Sequence, residues 1–278
     1  MILAPLRGVT IRCFRSVYSN EIKEAGFTEA VTPFISAMPG VDPLKDREID
    51  PEADGNCGIR ITPQFIGKDP QALRVALRRV KDAGYDTADL NCGCPFPMVR
   101  NKGRGSGILK TPDVLRRMIE VGVETMGERR FSVKARLGVD APGELLSLIG
   151  ILNGFPLRFL TVHGRIARQM YEGECDLAAV EEVRRASVNE VVVNGDLDWR
   201  AGEGMVGRSF IRYLGMREDS GEALRRYIAA SRDELCGERP VLGRMKELVS
   251  YWKDLPRWKR LWPVIKISRS LAEFESCI

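Results

Sequence analysis

The chain has 278 residues, of which 44% are hydrophobic and 29% are charged. These values are ordinary for a soluble globular protein, and the length suits one α/β barrel of about 250 residues with a small appendage. Because no apolar run approaches about 18 residues, we expect no membrane span. Seven irregularly spaced cysteines and no secretory leader predict free thiols in a cytoplasmic protein, which we expect to be monomeric.

Positive charge concentrates near the end of the chain. Residues 243–269 hold eight Lys or Arg and only two acidic residues, although the whole chain carries a net charge of just +5. Trp252, Trp258 and Trp262 are interleaved with these cations. Basic and aromatic side chains together suit RNA with exposed bases. The same pattern also fits a solvated helix face whose tryptophans pack inward.

Short apolar runs alternate with longer amphipathic segments through the first three quarters of the chain. Eight such runs, separated by helical patterns at Asp69–Ala83, Pro112–Thr125 and Leu177–Arg185, predict a parallel sheet that closes into a (β/α)8 TIM barrel. The predicted strands are Ile2–Leu6, Phe27–Thr32, Arg60–Ile66, Thr87–Asn91, Phe131–Arg136, Phe159–His163, Glu190–Asn194 and Gly204–Gly207.

The pattern changes after the eighth run. Glu222–Leu235, Val241–Trp252 and Arg257–Ser270 read as helices, and no further strand is predicted. We therefore expect a catalytic barrel over residues 1–212 and a small all-helical RNA-binding domain over residues 213–278. Only Leu197–Arg200 separate the seventh strand's loop from the eighth strand, and a crossover helix needs about ten residues. Either the seventh helix is therefore short or missing, or the eighth strand lies elsewhere than at Gly204–Gly207.

Polar residues gather at the carboxyl ends of the predicted strands, where barrel enzymes place their active sites. Gly-rich turns after the last two strands suit a phosphate, amides suit the edge of a heterocycle, and a lysine suits negative charge on a reduced flavin. Together they predict an FMN site, although each residue taken singly also has an ordinary structural explanation. The predicted cofactor residues are Pro5, Leu6, Arg7, Gln64, Asn91, Lys134, His163, Asn194, Gly195, Asp196, Gly207 and Arg208.

Cys94 is the most informative thiol. It lies between Gly93 and Pro95 after a strand, in the partly exposed and electropositive setting expected of a reactive cysteine. The basic segment 100–107 follows and could grip phosphates, or be an ordinary polar loop. With a single histidine, His163, and no second cysteine pair, a metal site is not expected.

Several motifs resemble the tRNA-dihydrouridine synthases, which are flavoproteins with an FMN-binding barrel and a C-terminal helical domain. The segment 89–95 (DLNCGCP), followed by Lys102 and 105–109 (GSGIL), resembles the family's signature loop. The other matching segments are 3–10 (LAPLRGVT), 133–138 (VKARLG), 163–165 (HGR), 194–196 (NGD) and 207–208 (GR). Ile11, Pro33 and Ile166 replace residues that are common in the family.

The resemblance implies roles. The chain would use FMN and NADPH to reduce a uridine of tRNA, or of ribosomal RNA, to 5,6-dihydrouridine, with Cys94 as the acid that protonates C5. The alternatives are a small-molecule FMN enzyme of the ene-reductase or dihydroorotate dehydrogenase kind, and a non-catalytic RNA-binding barrel. The predicted RNA contacts are Arg100, Lys102, Arg104, Arg165, Lys253, Arg257, Lys259 and Arg260.

Overall fold

The computed structural model describes residues 1–55 and 57–278. Ten strands of these residues form one sheet in which every pairing is parallel. The strands are β1 Ile2–Leu3, β2 Glu29–Val31, β3 Ile35–Ser36, β4 Arg60–Thr62, β5 Gln64–Ile66, β6 Ala88–Cys92, β7 Phe131–Gly138, β8 Leu160–Ile166, β9 Val191–Asn194 and β10 Met205–Val206.

The ten strands make eight barrel positions, because the second and third positions are each split in two. β2 pairs with β4, and β3 pairs with β5 after the break. Pro63 separates β4 from β5, and a proline cannot donate to a strand ladder. Thr32 bridges the gap by accepting the Gln64 backbone N–H on its hydroxyl at 3.1 Å. β1 pairs with both β10 and β2, which closes the barrel and confirms the predicted fold.

Fourteen α-helices of the described residues surround and extend this barrel. They are α1 Arg12–Val17, α2 Ser19–Glu24, α3 Pro51–Gly55, α4 Pro70–Asp82, α5 Pro97–Arg100, α6 Pro112–Met126, α7 Glu144–Ser147, α8 Ile149–Asn153, α9 Leu177–Ala186, α10 Arg208–Met216, α11 Ser220–Glu234, α12 Glu238–Ser250, α13 Pro256–Ile267 and α14 Leu271–Glu275.

Helix α4 shows how the local sequence sets an element. Asp69 caps it by accepting the backbone N–H groups of Gln71 and Ala72, and Pro70 occupies the first turn, where no N–H is needed. Leu73 and Leu77, one turn apart, are fully buried against the barrel. The prediction of a helix over residues 69–83 is therefore confirmed to within one residue at each end.

The seventh crossover has no α-helix. A single 3-10 turn at Trp199–Ala201 connects β9 to β10, as the short link predicted. The ring of Trp199 packs on Tyr213 of α10, with their centroids 4.2 Å apart. Gly204 returns the chain so closely to the backbone oxygen of Val193 that a Cβ there would lie only 2.8 Å from it. The barrel thus closes with a tight turn in place of a helix.

Two of the three C-terminal tryptophans face the interior. Trp252 and Trp258 are fully buried, and their indole N–H groups donate to the backbone oxygens of Ile211 and Gly215 at 2.6 and 2.9 Å. Of the two interpretations that the sequence left open, the inward-packed one is therefore correct for Trp252 and Trp258. These two hydrogen bonds join the region of α12 and α13 to α10. The charged residues between the two tryptophans are exposed to solvent.

The helical region packs directly on the first barrel helix. The rings of Phe14, Tyr18 and Tyr227 cluster with centroids 4.6–5.9 Å apart. One continuous apolar core runs through both regions. The boundary predicted between residues 212 and 213 falls inside α10, so this helix belongs to both sides of the predicted division.

Candidate active site

A cavity of about 420 Å³ opens at the carboxyl ends of the barrel strands. This size is typical of cofactor sites. All the residues predicted for the cofactor, and Cys94, line it. They are Pro5, Leu6, Arg7, Gln64, Asn91, Cys94, Lys134, His163, Asn194, Gly195, Asp196, Gly207 and Arg208. The parallel strands therefore bring together side chains that are up to about 200 positions apart in sequence.

Other lining residues were not predicted from the sequence, among them Phe34, Phe96 and Arg212. Phe34 lies between β2 and β3, with the Arg7 guanidinium 4.8 Å from its ring centroid. Phe96 follows Cys94 closely and is 42% exposed. Arg212 is exposed and lies one helical turn after Arg208 on α10, a spacing that places two such side chains on one helix face. That spacing is the signal that could have identified Arg212.

Lys134 is one of several basic residues that line the cavity. It projects from β7, and its Nζ donates to Asn194 Oδ1 at 2.7 Å. Burial, together with the neighbouring Arg136 guanidinium, lowers the pKa of Lys134 to about 7. A negatively charged ligand would therefore meet an amine that is poised to accept a proton and to become fully charged.

His163, the single histidine, is buried in the middle of β8, which continues three residues beyond the predicted strand end, and it lines the cavity. Burial, and then the positive charges of Lys134 and Arg136, lower the pKa of His163 far below its ordinary value. The imidazole is therefore neutral at physiological pH and can offer one donor and one acceptor nitrogen. Gly195 approaches this ring so closely that a Cβ would lie 2.5 Å from His163 Cδ2.

Asp196 ties two arginines together at the cavity mouth. Its carboxylate accepts from Arg208 at 2.7 Å and from Arg165 on the other oxygen. Burial opposes ionisation of Asp196, but the two guanidiniums hold its pKa below the ordinary value. Arg208 starts α10, whose N-cap is Gly207 and has no side-chain cap. The first turn of α10 is thus available to an anion.

Arg165 does not lie where an RNA contact requires it. Its residue is only 2% exposed, and its guanidinium donates to the backbone oxygens of Glu172 and Gly173 and to Cys175 Sγ, besides Asp196. The expectation of an RNA contact is corrected accordingly. The buried guanidinium of Arg165 is tolerated because several acceptors surround its charge. Its hydrogen bond to Asp196 also holds that carboxylate in place.

Cys94 is more deeply placed than the sequence suggested. It is only 7% exposed, so the expected exposed thiol is instead a buried one that borders the cavity. Burial raises the pKa of Cys94, although the Phe96 backbone N–H and the guanidiniums of Arg7 and Arg136 act in the opposite direction. The group is thus a protonated thiol at neutral pH, with cations close enough to favour the thiolate once its proton has left.

The basic segment 100–107 is only partly a surface loop. Lys102 is exposed, but residues 105–109 are buried and form a 3-10 helix against the Cys94 loop. The Ser106 backbone N–H and hydroxyl both donate to the Cys94 backbone oxygen, at 3.1 and 2.9 Å. Gly105, at φ +58°, lies where a Cβ would be 2.7 Å from Cys94 Cβ. The second half of the segment therefore holds the thiol loop in place.

A second cavity of about 540 Å³ adjoins the first. The two share part of their lining, and the second adds Gly8 from the barrel and Glu247 and Tyr251 from the end of α12. Burial and then Glu247 raise the pKa of Tyr251, so that its hydroxyl stays protonated. The shared residues are Leu6, Arg7, Phe96, Tyr171 and Arg208. The helical region thus contributes a wall to the approach to the barrel mouth.

Barrel and cavity together define a (β/α)8-barrel protein with a polar, cation-rich site for an organic ligand at its mouth. The chain belongs to the dihydrouridine synthase (Dus) family, whose model matches residues 2–205. It is 29% identical over 199 residues to tRNA-dihydrouridine synthase B of Vibrio vulnificus strain CMCP6, covering 71% of this chain and 60% of that protein. It is also 29% identical over 215 residues to tRNA-dihydrouridine(16) synthase of Escherichia coli strain K12, covering 73% and 66%.

Solved structures share the fold at low identity. A structure of morphinone reductase superposes with a TM-score of 0.55 at 15% identity, over 76% of this chain and 82% of the other. An old yellow enzyme homologue from Zymomonas mobilis gives a TM-score of 0.54 at 15% identity, over 76% and 85%. Across residues 1–55 and 57–278, none of the helices is long and apolar enough to cross a membrane.

Proposed function

We propose that this chain is a cytoplasmic, FMN-dependent enzyme that reduces a uridine of tRNA to 5,6-dihydrouridine with electrons from NADPH. The observation that carries the proposal is one cavity that joins the Cys94 thiol to a cation-rich floor at the mouth of the barrel. Membership of the Dus family and similarity to tRNA-dihydrouridine synthases support it.

The residues present fit a flavin with a phosphate tail. The amide groups for the edge of the ring come from Gln64, Asn91 and Asn194. The pKa of Lys134 is lowered to about 7, so the negative charge of a reduced flavin beside it would favour its protonated, positively charged form. At the other end, the first turn of α10 with Arg208 suits a phosphate. When bound, FMN supplies the hydride that is delivered to C6 of the uracil.

Cys94 supplies the proton for C5. A general acid must hold a mobile proton at working pH, and the buried thiol with its raised pKa does so. The S–H bond breaks as the new C–H bond forms, and the thiolate left behind faces Arg136 and Arg7. The Arg136 Nε in turn donates to the Gly93 backbone oxygen at 2.9 Å, which keeps this cation beside the thiol. Solvent then restores the proton.

The exposed cations outside the cavity would hold the RNA. Lys253, Lys259 and Arg260 are exposed, and so is Arg257, whose guanidinium lies 5.3 Å from the Trp258 ring centroid. None of these four lines either of the two cavities at the barrel mouth. They would therefore contact backbone phosphates rather than the reacting base, while Arg100, Lys102 and Arg104 lie on the Cys94 side.

The test combines cofactor analysis with a cysteine replacement. Purified protein should release FMN on denaturation and, with NADPH, convert uridine to dihydrouridine in unmodified tRNA. Cys94→Ala should keep the flavin and lower the rate by about 10²- to 10⁴-fold, the usual contribution of a general acid. Cys92→Ala, in which the lost thiol is fully buried beside the same loop, is the matched control and should retain the rate.

Other outcomes separate the alternatives. A colourless protein that takes up no added FMN but binds RNA would favour the non-catalytic barrel. A flavoprotein that reduces activated small alkenes and leaves tRNA unchanged would favour the small-molecule enzyme. Wild-type turnover by Cys94→Ala would assign the acid elsewhere.

A further inference from the structure

A chain of buried hydrogen bonds runs from the barrel interior to the backbone of the Cys94 loop. Gln64 Nε2 donates to Asp89 Oδ2 at 2.8 Å, and Asn91 Nδ2 donates to Gln64 Oε1 at 2.7 Å. The Cys94 backbone N–H donates to Asn91 Oδ1 at 2.9 Å. Asp89 and Gln64 are 0% exposed and Asn91 is 8% exposed, so water does not compete for these groups.

The direction of each bond follows from the backbone end of the chain. A backbone N–H can only donate, so Asn91 must turn its oxygen to Cys94 and its nitrogen to Gln64. Gln64 must then accept on its oxygen and donate from its nitrogen. The last group in the chain must be an acceptor, and the Asp89 carboxylate is that group. The Ser132 hydroxyl, which is not part of this series of hydrogen bonds, donates to the other oxygen of Asp89 at 2.6 Å.

We propose that Asp89 is a positioning residue that holds Cys94 in the cavity by fixing the orientation of the Gln64 and Asn91 amides. Without an acceptor at position 89, the present orientation of Gln64 leaves its buried Nε2 without the Asp89 carboxylate, and the flipped form would oppose its nitrogen to that of Asn91 and force the Asn91 amide to turn as well. Cys94 would then lose its acceptor. The inference rests on the proposed function, because that function makes Cys94 the proton donor.

A carboxylate at this depth is costly, which supports a specific role. Burial raises the pKa of Asp89 to about 6, so its charge is disfavoured there, and apolar residues of similar size would fill a barrel interior more easily. The bonds from Gln64 and Ser132 offset part of this cost.

The first test needs no turnover. Iodoacetamide labelling of Cys94 in the purified full chain, followed by mass spectrometry of the Cys94 peptide, should be about tenfold faster in Asp89→Leu, as expected from losing one buried hydrogen bond to an ionised group. Asp89→Asn keeps an acceptor oxygen and should label at nearly the wild-type rate. Ser132→Ala removes the other bond to the same carboxylate and should also label normally. If Asp89→Leu does not fold, Asp89→Val replaces it.

The second test is a double-mutant cycle on single-turnover reduction of tRNA uridine. Asp89→Leu should slow the wild-type reaction at least about tenfold but slow Cys94→Ala less than about threefold, because residues that act as a unit are non-additive. Equal effects in both backgrounds, or unchanged labelling in Asp89→Leu, would overturn the positioning role. If the wild type reduces no uridine, the proposed function fails, and the labelling experiment still decides whether Asp89 holds the Cys94 loop.

Discussion

Replacing Lys134 by methionine should stabilise the flavin-free protein, and the gain should depend on pH. The ammonium lies among other cations in the cavity, where burial and Arg136 lower its pKa to about 7. Methionine keeps an unbranched side chain of similar length without the charge. The variant loses the hydrogen bond from Lys134 to Asn194.

The magnitude follows from the two ends of the titration. The pKa of Lys134 falls from 10.5 to about 7 on folding, and each pH unit of difference corresponds to about 1.4 kcal/mol, so the charge costs at most about 5 kcal/mol. The lost hydrogen bond returns about 1 kcal/mol, and solvent in the cavity screens part of the rest. We therefore expect Lys134→Met to gain about 2–3 kcal/mol below pH 7.

The sign of the pH dependence is fixed. Below pH 7 lysine is charged in both states, and the folded protein bears the whole cost. As the pH rises from about 7 to 10.5, the folded state loses its proton first and the cost disappears, so about two thirds of the advantage of the variant should be gone by about pH 9.5.

Urea unfolding of the flavin-free wild type and of Lys134→Met, at pH 6 and at pH 9.5, measures the difference in their free energies of unfolding. Lys68→Met, at an exposed lysine, is the control and should show no comparable change. A variant that is less stable than the wild type at pH 6, or equally favoured at pH 6 and 9.5, would refute the reasoning. Lys134→Met should also bind FMN more weakly, because it lacks the amine whose positive charge would interact with the flavin.

Three further predictions concern stability and binding. Trp252→Phe should lower the free energy of unfolding by about 1–3 kcal/mol, measured by urea denaturation, because the Ile211 oxygen loses its buried donor. Arg165→Gln should weaken FMN retention on gel filtration and leave the salt dependence of tRNA binding unchanged, since this residue is buried at the cavity mouth. Neutralising Lys253, Lys259 and Arg260 together should reduce the slope of log K for tRNA binding against log salt concentration by up to about three. An unchanged slope would mean that these cations are solvated surface residues that do not contact the RNA.

The barrel could be predicted because buried parallel strands read as short apolar runs between helical patterns. All eight predicted strands are present, and the absence of an α-helix from the seventh crossover followed from counting residues 197–200, although its 3-10 turn was not predicted. The interruption at Pro63 was visible in the sequence but its consequence was not. The neighbouring strand breaks at Pro33, and the Thr32 hydroxyl links the two breaks by accepting the Gln64 backbone N–H, a contact between residues distant in sequence.

The members of the site could be predicted, but their burial could not. Strand ends converge in any barrel, so the predicted cofactor residues were identifiable from their position, whereas Phe34, Phe96 and Arg212 were not. The depth of Cys94 depends on how residues 105–109 fold back over its loop, and the burial of Arg165 depends on finding Asp196 and two backbone oxygens nearby. The orientation of the tryptophans stayed open for the same reason, because the pattern of charged residues is identical whether the rings face water or the core.

The depth of Cys94 constrains how a substrate can reach it. Under the proposed function, a thiol that is only 7% exposed cannot meet a base that is still stacked in a helix, so the uridine would have to leave its stack and enter the cavity. The second cavity lies at the entrance to the first, and its walls include the exposed rings of Phe96 and Tyr171 from the barrel and Tyr251 from the helical region. Because Tyr251 belongs to the helical region, the position of α12 against the barrel should set which bases can pass. Selection of the uridine would then depend on this junction, while the acid and the cations of the barrel perform the same chemistry on any base that enters.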